Sequence, residues 1–151
     1  MPAPGIGQPD VPGFLQFNVD SVVAASPGIP PSVIFSAGTS FTLTTTVSLA
    51  GPAKAILSGE TLPVFHHLQN LQTGATLTIA GGTITLPDPI PPVPDPATAS
   101  ATSPPTPAPP IPPGFGSATF RVLTHVHPVS PGIATVVAAF HDGTFIEVIP
   151  A

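Results

Sequence analysis

The sequence contains no cysteine, no tryptophan and no tyrosine, and it has very few charged side chains. The lack of cysteine excludes disulfide scaffolds, thiolate metal sites and cysteine nucleophiles. Lys54 and Arg121 are its only fixed cations, so a nucleic-acid backbone or an anionic membrane surface would find almost no partner. No apolar run approaches the roughly 18 residues of a spanning helix. We therefore expect neither nucleic-acid binding nor membrane insertion.

Charged residues make up 6% of the chain, against a typical share of about 25%, and the mean hydropathy is +0.46. A surface with so few charges is weakly protected against self-association. The net charge of −5 comes from seven carboxylates that are scattered along the chain, and no acidic block indicates a cation buffer. This composition favours a protein that associates with copies of itself.

The motifs that identify common enzyme classes are absent as well. The chain has no G-x-S-x-G elbow, no phosphate-binding glycine loop and no H-E-x-x-H sequence. Serine and threonine are plentiful, but their abundance on exposed strand faces is ordinary β propensity. His141 and Asp142 are neighbours at a predicted turn, where adjacent side chains rarely point at each other. We expect a protein that is not an enzyme and needs no cofactor.

Much of the chain alternates apolar and polar residues, which is the pattern of β-strands. Residues 40–49 are the clearest example, because apolar side chains there alternate with threonine and serine. Residues 53–58 are predicted as a short strand. Residues 60–74 also fit a helical spacing, but Pro63 and the β-rich surroundings favour a strand. We predict an all-β fold, namely a single antiparallel β-sandwich of immunoglobulin-like or jelly-roll topology with about seven or eight strands.

Two glycine-containing dipeptides predict tight turns between strands. Gly81-Gly82 would close a hairpin, and Asp142-Gly143 would close a second one before a last strand at 144–149. The facing pairs expected from these turns are Ile79 with Ile84, Leu77 with Leu86, Arg121 with Ala139, and Ala139 with Ile146. Both faces of the C-terminal sheet would then be apolar, so we expect the second face to be covered by the proline-rich arm, the tail or another subunit.

Thirteen of the 25 prolines lie between Pro87 and Pro113. Proline fixes φ and lacks an N–H, so we predict an extended polyproline II arm over residues 87–117. The proline- and glycine-rich residues 1–13 are predicted as a tail, and residues 14–151, interrupted by the arm, as the β-sandwich domain.

The arm has three interpretations. Its composition resembles that of O-glycosylated stalks, its P-x-x-P steps suit aromatic grooves on partner proteins, and a disordered insertion is the simplest alternative. The candidate glycosylation sites are Thr98, Ser100, Thr102, Ser103 and Thr106.

Histidine is the one polar residue type that is enriched, with five copies. His125 and His127 lie two residues apart on a predicted strand, so both rings project from the same face and form a candidate metal site. A third ligand from His66 or His67 would require their strand to lie alongside, and these two point to opposite faces. Alternatively, the histidines are ordinary polar residues near strand ends.

Together these features predict a structural subunit that polymerises with itself into a filament. We expect the filament to be extracellular or to lie on a cell or particle surface, although the first ten residues show no secretory signal. The N-terminal segment from Met1 to about Val23 would add to a neighbouring subunit's sheet edge or lie in its groove, and such head-to-tail contacts generate fibres. The candidate assembly residues are Phe14, Leu15, Phe17, Val19, Leu123, Val137, Ile146 and Val148. The alternatives are a monomeric carbohydrate- or surface-binding module, which the lack of tyrosine and tryptophan disfavours, and a histidine-based metal-binding sandwich.

Overall fold

The structure is a computed structural model that describes residues 5–8, 15–26, 32–129 and 138–151. Almost every regular element in these ranges is a strand, so the predicted all-β class is confirmed. The strands are β1 (Gly5–Gln8), β2 (Gln16–Ala25), β3 (Ile34–Ser36), β4 (Ser40–Ala50), β5 (Thr61–Asn70), β6 (Thr76–Thr85), β7 (Ala97–Thr102), β8 (Thr106–Pro107), β9 (Ala118–Val126) and β10 (Ala138–Ile149). No helix within the described ranges is long and apolar enough to cross a membrane.

The strands form two curled sheets. The larger sheet has the order β1-β10-β9-β5-β6, and β3 pairs with β10 in addition. The smaller sheet has the order β2-β4-β7, and β8 also pairs with β4. The pairing of β3 with β10 is parallel, and the others are antiparallel. Ten strands are described, more than the seven or eight expected, and the type of sandwich stays a prediction.

The inner faces of both sheets contribute to one apolar core. In β4 the burial alternates along the whole strand, as the sequence pattern predicts. The buried apolar residues of this strand are Phe41, Leu43, Val47 and Leu49. Each large side chain of this kind contributes about 1.5–3 kcal/mol of hydrophobic stabilisation when it is fully buried.

Gly81 and Gly82 form a bulge inside β6, so the predicted hairpin and its facing pairs are wrong. The register of β6 against β5 shifts so that the two glycines stand opposite the single residue Val64. A Cβ on Gly81 would lie 2.6 Å from both Val64 Cγ1 and His66 Nε2, and one on Gly82 would lie 2.8 Å from the Thr102 carbonyl oxygen. The glycines are needed for close packing rather than for chain reversal.

Asp142 and Gly143 likewise lie inside a strand, so the second predicted turn is wrong too. β10 continues through them, and its register against β9 shifts between Asp142 and Thr144, which leaves Gly143 as the extra residue of a bulge. As a result Arg121 lies opposite Phe145 instead of Ala139. The predicted matching of faces between the two strands is therefore wrong, because Arg121 shares its face with Phe145 and not with Ala139 and Ile146.

Two further expectations fail between β4 and β9. Residues 53–58, predicted as a strand, fall largely in a 3-10 helix (Pro52–Leu57) that begins with proline, as helices often do. The polyproline II prediction is wrong for β7, which pairs with β4 at the edge of the smaller sheet. The sequence of β7, ATASAT, contains no proline and can therefore supply the N–H groups of a ladder.

A buried lysine holds the beginning of the proline-rich arm against the body of the protein. The Lys54 side chain lies in the 3-10 helix and is almost fully buried. Its Nζ donates to the carbonyl oxygens of Pro92 at 3.1 Å and Pro94 at 3.0 Å, and to Asp95 Oδ1 at 3.2 Å. These three acceptors satisfy the three donors of the ammonium group.

Candidate functional site

The first candidate site is the outer edge of β10, which is shared by two short strands. Its first half pairs antiparallel with β1, so that Gly5 lies opposite His141 and Gln8 opposite Ala138. Its second half, Glu147 to Ile149, pairs in parallel with β3. β1 therefore belongs to the larger sheet, whereas β2, the next strand in the chain, belongs to the smaller one.

Most of the residues predicted for assembly lie instead in the core of their own chain. Leu15, Phe17 and Val19 are at most 2% exposed, and β2 pairs along its length with β4 of the same chain. Ile146 and Val148 are buried as well. These five residues are therefore core positions, and β1 is the described part of the N-terminal segment that stays a candidate for assembly. Leu123 is half-buried on the outer face of β9; Phe14 and Val137 lie outside the described residues.

The second candidate site is the outer face of β5, β9 and β10, which we call the His-Phe face. It comprises Phe65, His67, Leu123, His125, His127, Phe140 and Phe145. Phe65 and Phe140 lie directly opposite His125 on the two neighbouring strands, so the three rings form a row across the sheet. Phe140 and Phe145 are each nearly half exposed. An exposed aromatic patch of this kind is a candidate binding surface.

His125 is the centre of the His-Phe face. Its ring centroid lies 5.2 Å from Phe65, 5.2 Å from His67, 5.9 Å from His127 and 6.3 Å from Phe140, with each pair within 25° of parallel. Burial lowers the pKa of His125, and the neighbouring His67 and His127 lower it further because two adjacent imidazolium ions repel each other. The ring is therefore neutral at neutral pH.

Two of the outer histidines have one ring nitrogen occupied by a neighbour. His127 Nδ1 donates to the Pro128 carbonyl oxygen at 3.0 Å, and His67 Nδ1 lies 3.0 Å from Thr78 Oγ1. A carbonyl oxygen can only accept, so the proton of neutral His127 must be on Nδ1 and the lone pair on Nε2. The Thr78 hydroxyl can donate or accept, so it sets no tautomer at His67.

The remaining two histidines are structural. His66 is fully buried, with Nδ1 at 2.7 Å from Thr124 Oγ1 and Nε2 at 3.5 Å from Thr45 Oγ1 across the two sheets. Burial, helped by His67 and His125, lowers the pKa of His66 to about 4. His141 is buried too, which lowers its pKa, while the Asp142 charge acts in the opposite direction.

The metal prediction for His125 and His127 is met in one geometric respect, since both rings lie on the same outer face. His67 approaches from β5, but its register partner is Leu123, so it lies on the side of His125 that faces away from His127. Across the described ranges, no group of three or more histidine, cysteine or acidic side chains is arranged to hold a metal ion. The metal site therefore stays a prediction.

The candidate glycosylation sites fall into different environments. Thr98, Ser100 and Thr102 are exposed on β7. Thr106 is half-buried, and its hydroxyl donates to a backbone carbonyl two residues before it. Ser103 is 3% exposed, and its Oγ accepts a hydrogen bond from the backbone N–H of Leu43 at 2.9 Å. This buried hydroxyl is not presented to solvent, so Ser103 is withdrawn from the set.

Sequence reasoning missed Phe65 and Phe140 as neighbours of His125, and it named His67 only as a third metal ligand if its strand lay alongside. Phe65 and His67 alternate on one strand face, which was a visible signal, but their distance to His125 depends on a strand register that no local pattern encodes. In comparisons with known proteins, no family model and no curated protein matches this chain. Function is therefore inferred from the geometry of the chain alone.

Proposed function

We propose that this protein is a non-catalytic structural subunit, built as a β-sandwich, that polymerises by placing β1 of one copy on the β10 edge of the next. The filament would lie at a cell or particle surface. The observation that supports this proposal is the position of β1. This four-residue strand lies at the edge of the larger sheet, whereas β2, the next strand of the chain, belongs to the smaller sheet.

Exchange of β1 between copies changes few interactions. A β1 donated by a neighbour makes the same antiparallel ladder, with Gly5 opposite His141, that it makes within one chain. Exchanging an identical element is a low-cost route to assembly. Without any β1, the first half of β10 would present unpaired backbone groups, which are a template for strand addition.

The linker between β1 and Leu15 is rich in proline. It reads PDVPGF over residues 9–14 and includes Pro9 and Pro12. Each proline fixes its own φ and biases the preceding residue towards extended backbone. A six-residue linker spans at most about 20 Å, and the proposal requires it to reach the β10 edge of a neighbouring copy. A donor and an acceptor at different places on each copy give contacts that do not close, and such contacts produce fibres.

The His-Phe face adjoins this edge. Phe140 is 46% exposed and is the register partner of Ile6 in β1, so the donated strand would lie beside the aromatic patch. Nearby, Arg121 and Asp142 form an ion pair of 3.4 Å within the chain, which neutralises both charges. Little charge repulsion therefore opposes close approach of a second copy at this face.

Deletion of residues 1–8 tests the proposal. We expect the full chain to form polymers in light scattering and negative-stain images, and the deleted chain to be a monomer that binds a synthetic peptide of residues 1–13. Deletion of residues 1–4 is the matched control, because it leaves β1 intact and should preserve assembly. Polymers from the chain lacking residues 1–8, or a full chain that stays monomeric at high concentration, would refute the proposal.

A further inference from the structure

We propose that His125 and His127 bind one divalent transition-metal ion through their Nε2 atoms. The two residues are neighbours on the same face at the end of β9, with ring centroids 5.9 Å apart and ring planes 19° from parallel. Both residues are half-buried and therefore partly accessible to solvent. Two imidazoles at positions i and i+2 on one strand face can share a metal ion.

The hydrogen bond of His127 prepares it as a ligand. Because Nδ1 donates to the Pro128 carbonyl, the lone pair of the neutral ring is on Nε2, which is free of that contact. Histidines that bind metals commonly donate their other ring N–H to a backbone carbonyl in this way, and the contact fixes both tautomer and orientation. The Phe65 ring, 6.2 Å from that of His127, supports the orientation from the neighbouring strand.

The donor atoms of this pair determine the class of metal that it can bind. Imidazole nitrogen suits copper, nickel and zinc, whereas magnesium and calcium prefer oxygen ligands. Two protein nitrogens leave the remaining positions to water, and the order of affinity should place Cu²⁺ above Ni²⁺ and Zn²⁺.

His67 is outside this pair. It stacks on the far side of His125, with ring centroids 5.2 Å apart, and its Nδ1 contacts Thr78. One ion cannot contact His67 and His127 together, which agrees with the absence of a three-ligand group in the described part of the chain. His67 is therefore an ideal control, because it is a histidine on the same face that should not be required.

The test is titration of the full chain with CuCl2 and, separately, ZnCl2 near pH 7.5 by calorimetry, with electron paramagnetic resonance of the copper sample. We expect one ion per chain and hyperfine coupling to two nitrogens. His125→Ala and His127→Ala should each weaken binding at least about tenfold, whereas His67→Ala should leave the affinity within twofold.

Circular dichroism of each variant will establish that it is folded, and His127→Gln provides a second, more conservative removal of the ligand. The proposal is overturned if the unaltered chain binds no copper, if His127→Ala and His127→Gln bind as the unaltered chain does, or if His67→Ala loses as much affinity as His127→Ala. The assembly proposal does not depend on any of these results, because its donor strand and its acceptor edge contain neither histidine.

Discussion

Histidine and phenylalanine lie on both the inner and the outer face of the larger sheet, but their surroundings on the two faces differ. His66 and His67 are neighbours in sequence, yet His66 is fully buried between Thr45 and Thr124, whereas His67 lies on the outer face and stacks on His125. Burial makes protonation of His66 costly and so makes it a fixed structural group. Access to water leaves the outer rings available for ligands and partners.

Truncating one phenylalanine on each face should give the largest contrast. Phe120 is 5% exposed on the inner face, and Phe145 is 47% exposed on the outer face. We expect Phe120→Ala to lower the free energy of unfolding by about 3–5 kcal/mol, since it leaves a cavity. Phe145→Ala should change it by less than about 0.5 kcal/mol. Urea denaturation of both variants measures the difference, and equal losses would contradict the assignment of the two faces.

Acid should destabilise the protein through His66. Its pKa is 6.5 in the unfolded chain and about 4 in the folded one, so the unfolded chain binds the extra proton between these values. The stabilisation is complete above pH 6.5 and is lost as the pH falls towards 4, with a total of about 3 kcal/mol. Urea midpoints measured from pH 7.5 to 4 should show this loss.

Replacing His66 with a residue that does not titrate isolates its contribution to the pH dependence of stability. In His66→Gln the pH dependence should be much shallower, while His67→Ala should retain most of the slope. The lowered pKa values of His125 and His141 act in the same direction and leave a residual slope in both variants. An unchanged slope in His66→Gln would show that its burial does not control acid stability.

The close approach of β6 to His66 predicts a smaller loss. A methyl group on Gly81 would lie 2.6 Å from His66 Nε2, whereas one on Gly116 would have no heavy atom within 4 Å. Gly81→Ala should therefore cost about 1–3 kcal/mol, because the inner packing must shift. Gly116→Ala should be neutral or slightly stabilising, and thermal unfolding of the pair will test this. A neutral Gly81→Ala would mean that the glycine bulge is not required for packing.

The smallest contrast concerns the two threonines that contact histidine. Thr124→Val removes the 2.7 Å partner of His66 Nδ1 in the core, and we expect it to cost about 1 kcal/mol, since His66 retains Thr45 as a second partner. Thr78→Val removes an exposed contact to His67 and should cost less than about 0.5 kcal/mol. Equilibrium unfolding at pH 7.5 distinguishes the two, and a larger loss for Thr78→Val would contradict the account.

The local sequence pattern was sufficient to predict the buried residues of a strand that contains no bulge. β4 alternates without a break, so its core residues could be predicted from sequence. The dipeptides Gly81-Gly82 and Asp142-Gly143 predict turns equally well as local signals, but both form bulges. Whether a glycine reverses the chain or forms a bulge depends on the partner strand, which lies elsewhere in the sequence. One extra residue in a strand then moves every following side chain to the opposite face of the sheet.

The candidate sites were predictable only in part for the same reason. The pair His125 and His127 is a local feature and could be recognised from its spacing. The position of Phe65, His67 and Phe140 beside His125 depends on the registers of three strands, which the local sequence does not give. The burial of Phe17 and Val19 required the pairing of β2 with β4, so sequence alone could not separate a donated tail from a core strand.

Strand exchange can be tested most directly with a pair of introduced cysteines, because the chain has none of its own. Ile6 and Phe140 are register partners in β1 and β10, and antiparallel partners lie about 4.5–5.5 Å apart, within disulfide range. After oxidation of the Ile6→Cys, Phe140→Cys double variant, exchange between copies predicts a ladder of covalent multimers on a non-reducing gel. A single band of internally linked monomer, at concentrations where the full chain should assemble, would contradict the central claim.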